Sequence, residues 1–256
     1  MQQARNKNPS ATGALQPGSI DINCDMGEGI GNDEAIMPYV TSANIACGFH
    51  AGDAETMRIT IGLAQKHRLN IGAHPSFDDR ENFGRTEMKT SPEDVYRLLT
   101  EQLFLFKKIA DAAGALVHHV KPHGALYNMA AQNAALAKAV AQAVKDFDEN
   151  LVLFGLSGSA SIIEAKALGL KTRSEVFADR TYQDNGSLTP RSQSNALIED
   201  EDKAVAQVLQ MVNAGTVTSV AGKEVPLVAE TVCLHGDGKH AVQFARRLFL
   251  TLNKGA

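Results

Sequence analysis

Apolar and polar positions alternate along this chain in two rhythms. In IDINCDMGEG, residues 20–29, Ile20, Ile22 and Cys24 alternate with Asp21, Asn23 and Asp25, and a Gly-Glu-Gly turn follows. A period of two is the rhythm of a β-strand, so the three polar residues share one face. Short apolar runs predict strands over 20–24, 44–47, 70–73, 116–120, 151–155, 173–177 and 228–235. Longer amphipathic runs between them predict helices over 53–68, 91–113, 132–147, 158–168, 199–214 and 239–253.

Helix boundaries carry their own signals. Ser91 can cap a helix that opens with Pro92, Glu93 and Asp94, where the helix dipole favours acids. Gly114, Gly169 and Gly215 stand where helices should stop. Strand and helix alternate throughout, which means a parallel sheet with helices packed outside it. Seven such units predict an α/β fold, a single-domain (β/α) barrel of seven strands over residues 19–256. Residues 1–18 are polar, without the apolar core of a secretory signal, and are expected to form a disordered leader.

This architecture turns scattered polar residues into candidate chemistry. Polar clusters follow the predicted strands: Asp25 after the first, Cys47-Gly48-Phe49-His50 after the second, His74 after the third. HHVKPHG, VFADR and CLHGDGKH follow later ones. In parallel β/α folds the C-terminal ends of the strands form the rim where active sites assemble. His119, Lys121 and His123 share a face if the extended conformation persists through Pro122, and His118 points the other way. His67, between Lys66 and Arg68, is expected in solvent, and His240 at a helix start.

Asp25, His50, His74, Lys121 and His123 are therefore the candidate catalytic set. Asp25, His50 and His74 could alternatively bind a divalent metal such as zinc, or work without one as base and proton carriers. No local metal-binding spacing decides between the two. HGDGKHA, 235–241, passes from strand to helix through two glycines, where backbone N–H groups can meet a phosphate or carboxylate. Substrate-binding candidates are thus His235, Gly236, Asp237 and Gly238, together with Asn23 and Glu28 beside Asp25. Arg85 and Arg191, on the long segments 75–88 and 178–200, could clamp a substrate carboxylate.

Composition narrows the partners. The 256 residues are 44% hydrophobic and carry a net charge of −4, with no basic stripe, no Trp and 5% aromatics, so a nucleic-acid partner is not expected. No apolar run approaches the ~18 residues of a membrane span. Three cysteines with no pairing pattern suggest a reducing, cytoplasmic compartment and buried thiols. No GxxxxGK[ST] loop is present, so an ordinary P-loop nucleotide site is excluded.

NCDMGEG, SANIACGFHAGD, IGAHPSF, RENFGR, HVKPHGALYN, EVFADRTYQDNGSLTPRSQSNALI and TVCLHGDGKHA, in this order, resemble the LamB/YcsF family from about residue 20 to about 250. The resemblance implies a (β/α) barrel related to the glycoside hydrolase/deacetylase group. It also implies ATP-dependent opening of 5-oxo-L-proline to L-glutamate, performed with two partner subunits, B and C. ATP would be bound mainly through those partners, and a homo-oligomer remains open. Asp25 would then handle the attacking water, with His50 and His74 moving protons and Lys121 and His123 steadying negative charge. Cys24 departs from the family's Ala, so a thiol is not needed there. The alternatives are a stand-alone metal-dependent amidohydrolase or deacetylase, and a regulatory subunit without catalysis.

Overall fold

A computed structural model describes residues 20–236, 238 and 240–253; the expected leader and Asp237 lie outside these residues. Seven strands form a closed, all-parallel barrel: β1 (Asp21–Met26), β2 (Ser42–Ala46), β3 (Asn70–His74), β4 (Val117–Val120), β5 (Val152–Leu156), β6 (Lys171–Phe177) and β9 (Thr231–Leu234), which closes on β1. A one-turn helix, α1 (Asp33–Ile36), follows β1. Helices α2 (Ala54–Lys66), α3 (Pro92–Ala112), α5 (Ala134–Phe147), α6 (Ala160–Ala167), α7 (Glu201–Ala214) and α8 (Ala241–Leu252) follow the predicted segments, each end within a few residues. Besides the short α1, a helix and a hairpin depart from the prediction. Helix α4 (Gly124–Gln132) abuts α5 through Asn133, whose side chain accepts from Ala135 and Leu136 N–H and starts α5; the helix predicted over 132–147 is α5, and α4 was not predicted. A hairpin of β7 (Thr216–Thr218) and β8 (Glu224–Pro226) interrupts the connection between α7 and β9, too short to register as period-two strands.

The helix ends obey the local rules. Ser91 Oγ accepts from Asp94 N–H at 3.1 Å, and Gly215 ends α7 in the left-handed region at φ 66°. Apolar residues of β1, Ile22, Cys24 and Met26, join one continuous core with residues of the helices outside the barrel, such as Met57, Leu99, Val140 and Leu248.

Inside, the barrel is polar. Asp25, Asn44 and Gly72 stand in register across β1, β2 and β3, and Gly72 is paired to His119 on β4. His119 fills the space that the glycine vacates: a Cβ on Gly72 would fall 2.1 Å from His119 Nε2. The ring stacks on Phe154 at 4.2 Å between centroids and its Nε2 donates to Asn44 Oδ1 at 2.8 Å. Buried polar side chains demand this kind of mutual satisfaction. Asp21 is part of it at the opposite end from the mouth, accepting from Thr41, Ser42 and Thr231 hydroxyls at 2.5–2.7 Å. The shared face of Asp21 and Asp25 thus divides into a structural end and a reactive end.

Candidate active site

The polar interior opens at the C-terminal ends of the strands into a cavity of about 320 Å³. Asp25, His74 and Lys121 line it, with Tyr127 from α4, Phe177 from the end of β6 and His235 beyond β9. Both long segments reach it: Arg85 from 75–88, and Thr189 and Arg191 from 178–200. Each segment is tied down. Gly84 carbonyl accepts Ala125 N–H at 2.9 Å, and the buried Arg180 guanidinium donates to the carbonyls of Thr189 (2.6 Å) and Ala196 (3.2 Å).

Lys121 is the hub of the floor. Its ammonium lies 2.9 Å from Asp25 Oδ1, 3.0 Å from Glu175 Oε1, 3.2 Å from Asn23 Oδ1 and 3.1 Å from Cys233 Sγ. Burial alone would pull the lysine down, but Asp25, Cys233 and Glu175 outweigh it and hold the pKa well above the ordinary value. Burial would likewise raise Asp25; His74 and Lys121 overcome that and keep it an ionised carboxylate. Asp25 Oδ1 also accepts from Asn44 at 2.8 Å, which leaves Oδ2 toward His74 Nε2 at 3.3 Å.

A second cluster adjoins this floor. His50, His74 and His123 converge with Glu28, and the His50 and His123 rings stack at 3.9 Å. His50 Nε2 lies 3.2 Å from Glu28 Oε1, and His74 Nε2 lies 2.9 Å from His123 Nδ1. Burial pushes His50 down to about 3 and His123 well down, so both favour the neutral imidazole.

The sequence-selected residues thus do not all share one place. Asp25, Lys121, His74 and His123 line the cavity with Arg85, Arg191 and His235. His50 and Glu28 lie behind the wall, in the histidine cluster. Asn23 sits one layer deeper, donating to Glu175 Oε1 (2.9 Å) and Thr231 Oγ1 (2.7 Å), and so supports Lys121 rather than reaching the cavity. Gly236 is buried, its carbonyl accepting from Asn32, while Gly238 borders a neighbouring cavity behind Arg191 and His235. His235 Nδ1 meets Asp179 Oδ2 at 2.8 Å and its Nε2 meets Arg191 at 3.2 Å.

Three residues escaped the sequence reading. Glu175 lies within a predicted strand, and Tyr127 in the helix that was not predicted. Glu175 Oε2 and Tyr127 Oη are buried and without a hydrogen-bond partner among the described residues. Asp179 follows β6 in VFADR, a cluster the sequence did single out, without that residue.

Known proteins match this arrangement along nearly its whole length. The A subunit of a 5-oxoprolinase from Geobacillus kaustophilus is 56% identical over 242 residues, covering 93% of this chain and 94% of its own. Its counterpart from Bordetella pertussis is 54% identical over 241 residues, covering 92% and 96%. The crystal structure of a lactam utilization protein from Thermus thermophilus superposes with a TM-score of 0.84 at 40% identity, over 92% of this chain and 96% of the other. A deacetylase solved with its substrate, 11% identical with a TM-score of 0.50, shares the barrel alone. The LamB/YcsF family description matches residues 20–256, and with relatives this close the conclusion is direct: the chain belongs to the LamB/YcsF family.

Proposed function

We propose that the chain is the lactam-handling subunit of an ATP-dependent 5-oxoprolinase, a hydrolase that opens 5-oxo-L-proline to L-glutamate together with subunits B and C. The observation that carries this reading is the ionised Asp25 at the floor of a cavity with Arg85 and Arg191 on its walls. The substrate has one carboxylate and one cyclic amide, and the cavity offers cations for the first and a base for the second.

A lactam carbonyl is a poor electrophile. Phosphoryl transfer from ATP to the lactam oxygen makes the ring carbon attackable. Water then adds, the ring C–N bond breaks, and the nitrogen takes a proton. The resulting acyl phosphate is hydrolysed by a second water to glutamate and phosphate. ATP enters mainly through the partner subunits, in keeping with a sequence that has no P-loop.

Asp25 takes the proton of the attacking water on Oδ2, because Lys121 and Asn44 hold Oδ1. Lys121 fixes the acid and keeps it ionised. Tyr127 Oη, kept protonated by burial, is a hydrogen-bond donor for the oxygen on which charge develops, a contribution of about 3 kcal/mol for a well-placed donor. Arg85 and Arg191 hold the substrate carboxylate.

The test is reconstitution of this chain with its B and C partners, 5-oxoproline and ATP, with glutamate and ADP measured. Omitting the chain should stop glutamate release; release without it sinks the reading. Asp25→Asn should abolish glutamate formation while the circular dichroism spectrum stays native. Near-normal turnover by that variant would remove Asp25 from the mechanism.

A further inference from the structure

Arg180, the last residue of the VFADR run that follows β6, is a buried cation without a paired anion. It lines the cavity and is 4% exposed. Its Nε donates to the Ala196 carbonyl at 3.2 Å, and its Nη2 to the Thr189 carbonyl at 2.6 Å. A guanidinium carries five N–H groups, and those on Nη1 have no hydrogen-bond partner among the described residues. No carboxylate among the described residues forms an ion pair with this side chain.

The acids nearby are committed elsewhere. Asp179 Oδ2 faces His235 Nδ1 at 2.8 Å. Arg191 can only donate, so His235 Nε2 accepts from it and His235 Nδ1 gives its proton to Asp179. On the floor, Asp25 and Glu175 are both matched to Lys121. Burial first, and then the positive charge of Arg191, pull the pKa of Arg180 down to about 10 against the weaker opposing effect of Asp179. At neutral pH the guanidinium is still charged, and it is unanswered.

Tying down the segment 178–200 does not account for that charge. Two carbonyls can be held by neutral N–H donors, whereas a buried cation is unfavourable unless an anion answers it. Arg191 is exposed, so water screens its pull on an anion. Arg180 has no such screening, and an oxyanion in the cavity would meet its free N–H groups in a medium where the attraction is strong.

We propose that Arg180 is the inner carboxylate anchor of the cavity, its Nη1 group binding the carboxylate of the substrate while Arg191 contributes from the rim. Resting on the lactam-handling reading, this names what the site selects: a lactam that carries an acid group, over a neutral lactam. The carboxylate pairs the buried guanidinium, and a neutral ring leaves it bare. Such a site rejects a ligand without the matching group far more strongly than an apolar pocket rejects a missing methylene. A phosphoryl oxygen is an oxyanion too, so inorganic phosphate serves as the competing probe.

The chain is reconstituted with its B and C partners, without ATP, and titrated in a calorimeter with 5-oxoproline, with its uncharged amide and with inorganic phosphate. The wild type should prefer the acid to the amide by about a hundredfold or more. Arg180→Met keeps the stem and removes the charge; it should lose about thirtyfold or more on the acid and less than about threefold on the amide. Arg180→Lys should recover part of the loss. A crystal structure of the wild-type chain with 5-oxoproline, which needs no variant to fold, should put a carboxylate oxygen within hydrogen-bonding distance of Arg180 Nη1.

Equal losses on acid and amide would mean that Arg180 only shapes the segment, and they overturn the proposal. So do an acid affinity unchanged in Arg180→Met, a wild type with no preference for the acid, and a crystal in which the carboxylate sits away from Arg180. A loss confined to phosphate overturns it as well, since the anion held there would then be a phosphoryl group. The glutamate assay judges the wider reading separately. A complex that releases glutamate yet gives any of these results loses the anchor alone, and one that releases none loses the lactam-handling reading whatever Arg180 does.

Discussion

Lys121 Nζ is bound 2.9 Å from Asp25 Oδ1 inside a barrel where neither side chain is more than 7% exposed. Glu175 approaches the same ammonium at 3.0 Å, so one cation neutralises two carboxylates. Removing it leaves both uncompensated in a medium that cannot solvate them. Lys121→Met should lower unfolding free energy by about 3–5 kcal/mol, the usual cost of breaking a buried pair. Urea denaturation measures this; a change under 1 kcal/mol would show that the pair is not carrying the interior.

Arg191 is exposed, with His235 as a neighbour whose other nitrogen is held by Asp179. Its replacement should therefore act on substrate rather than on folding. Arg191→Ala is expected to raise KM for 5-oxoproline at least tenfold in the reconstituted system while shifting stability by no more than about 0.5 kcal/mol. Arg191→Lys should recover only part of this, because an ammonium cannot form the paired bonds of a guanidinium. An unchanged KM in the alanine variant would take Arg191 out of substrate recognition.

Gly124 holds segment 75–88 against the mouth. Its φ is +56°, and a Cβ there would lie 2.4 Å from the carbonyl oxygen of Gly84. A backbone oxygen cannot rotate aside, so the segment must shift, and Gly84 itself packs on His50 and His123. Gly124→Ala should cost about 1–3 kcal/mol and lower kcat/KM. Gly62 in α2 is the control: nothing lies within 4 Å of the added methyl, and Gly62→Ala should stabilise by about 0.4–1 kcal/mol. Thermal melts of the two variants moving in the same direction would contradict the packing argument.

All three thiols are buried, and burial raises each, Cys47 to about 12. In the unfolded chain a thiol titrates near ~8.5. A group whose pKa is raised by folding contributes stability that is whole below the unfolded value and lost as pH rises through the folded one. Stability should therefore decline from about pH 8.5 upward, and Cys47→Ala should flatten the decline. Denaturation midpoints between pH 8 and 11 measure this. Native protein should also resist a disulfide thiol reagent at pH 8 and react with it once unfolded; rapid labelling of the native state would place a thiol at the surface.

Much of the barrel was legible because strand and helix periods act locally. Each predicted strand has its counterpart, and Ser91 and Gly215 cap and stop helices through contacts a few residues long. What failed was also local: Asn133 ends one helix and starts the next, hiding α4, and the three-residue strands of the hairpin are below the length at which alternation can be read.

The sequence by itself determined that Asp25, His74, Lys121 and His123 would stand at strand ends, because a period of two sorts side chains to faces and parallel connections sort ends to one rim. It could not separate Asp21 from Asp25, which share that face. Only the closed barrel did so, placing Asp21 among the hydroxyls of Thr41, Ser42 and Thr231 and Asp25 beside Lys121. Nor could it find Glu175 as the second carboxylate on that lysine, or Glu28 and His123 as companions of His50 and His74. Such partnerships join residues from different strands, and strand register and curvature, which no local pattern encodes, decide which side chains come within hydrogen-bonding distance.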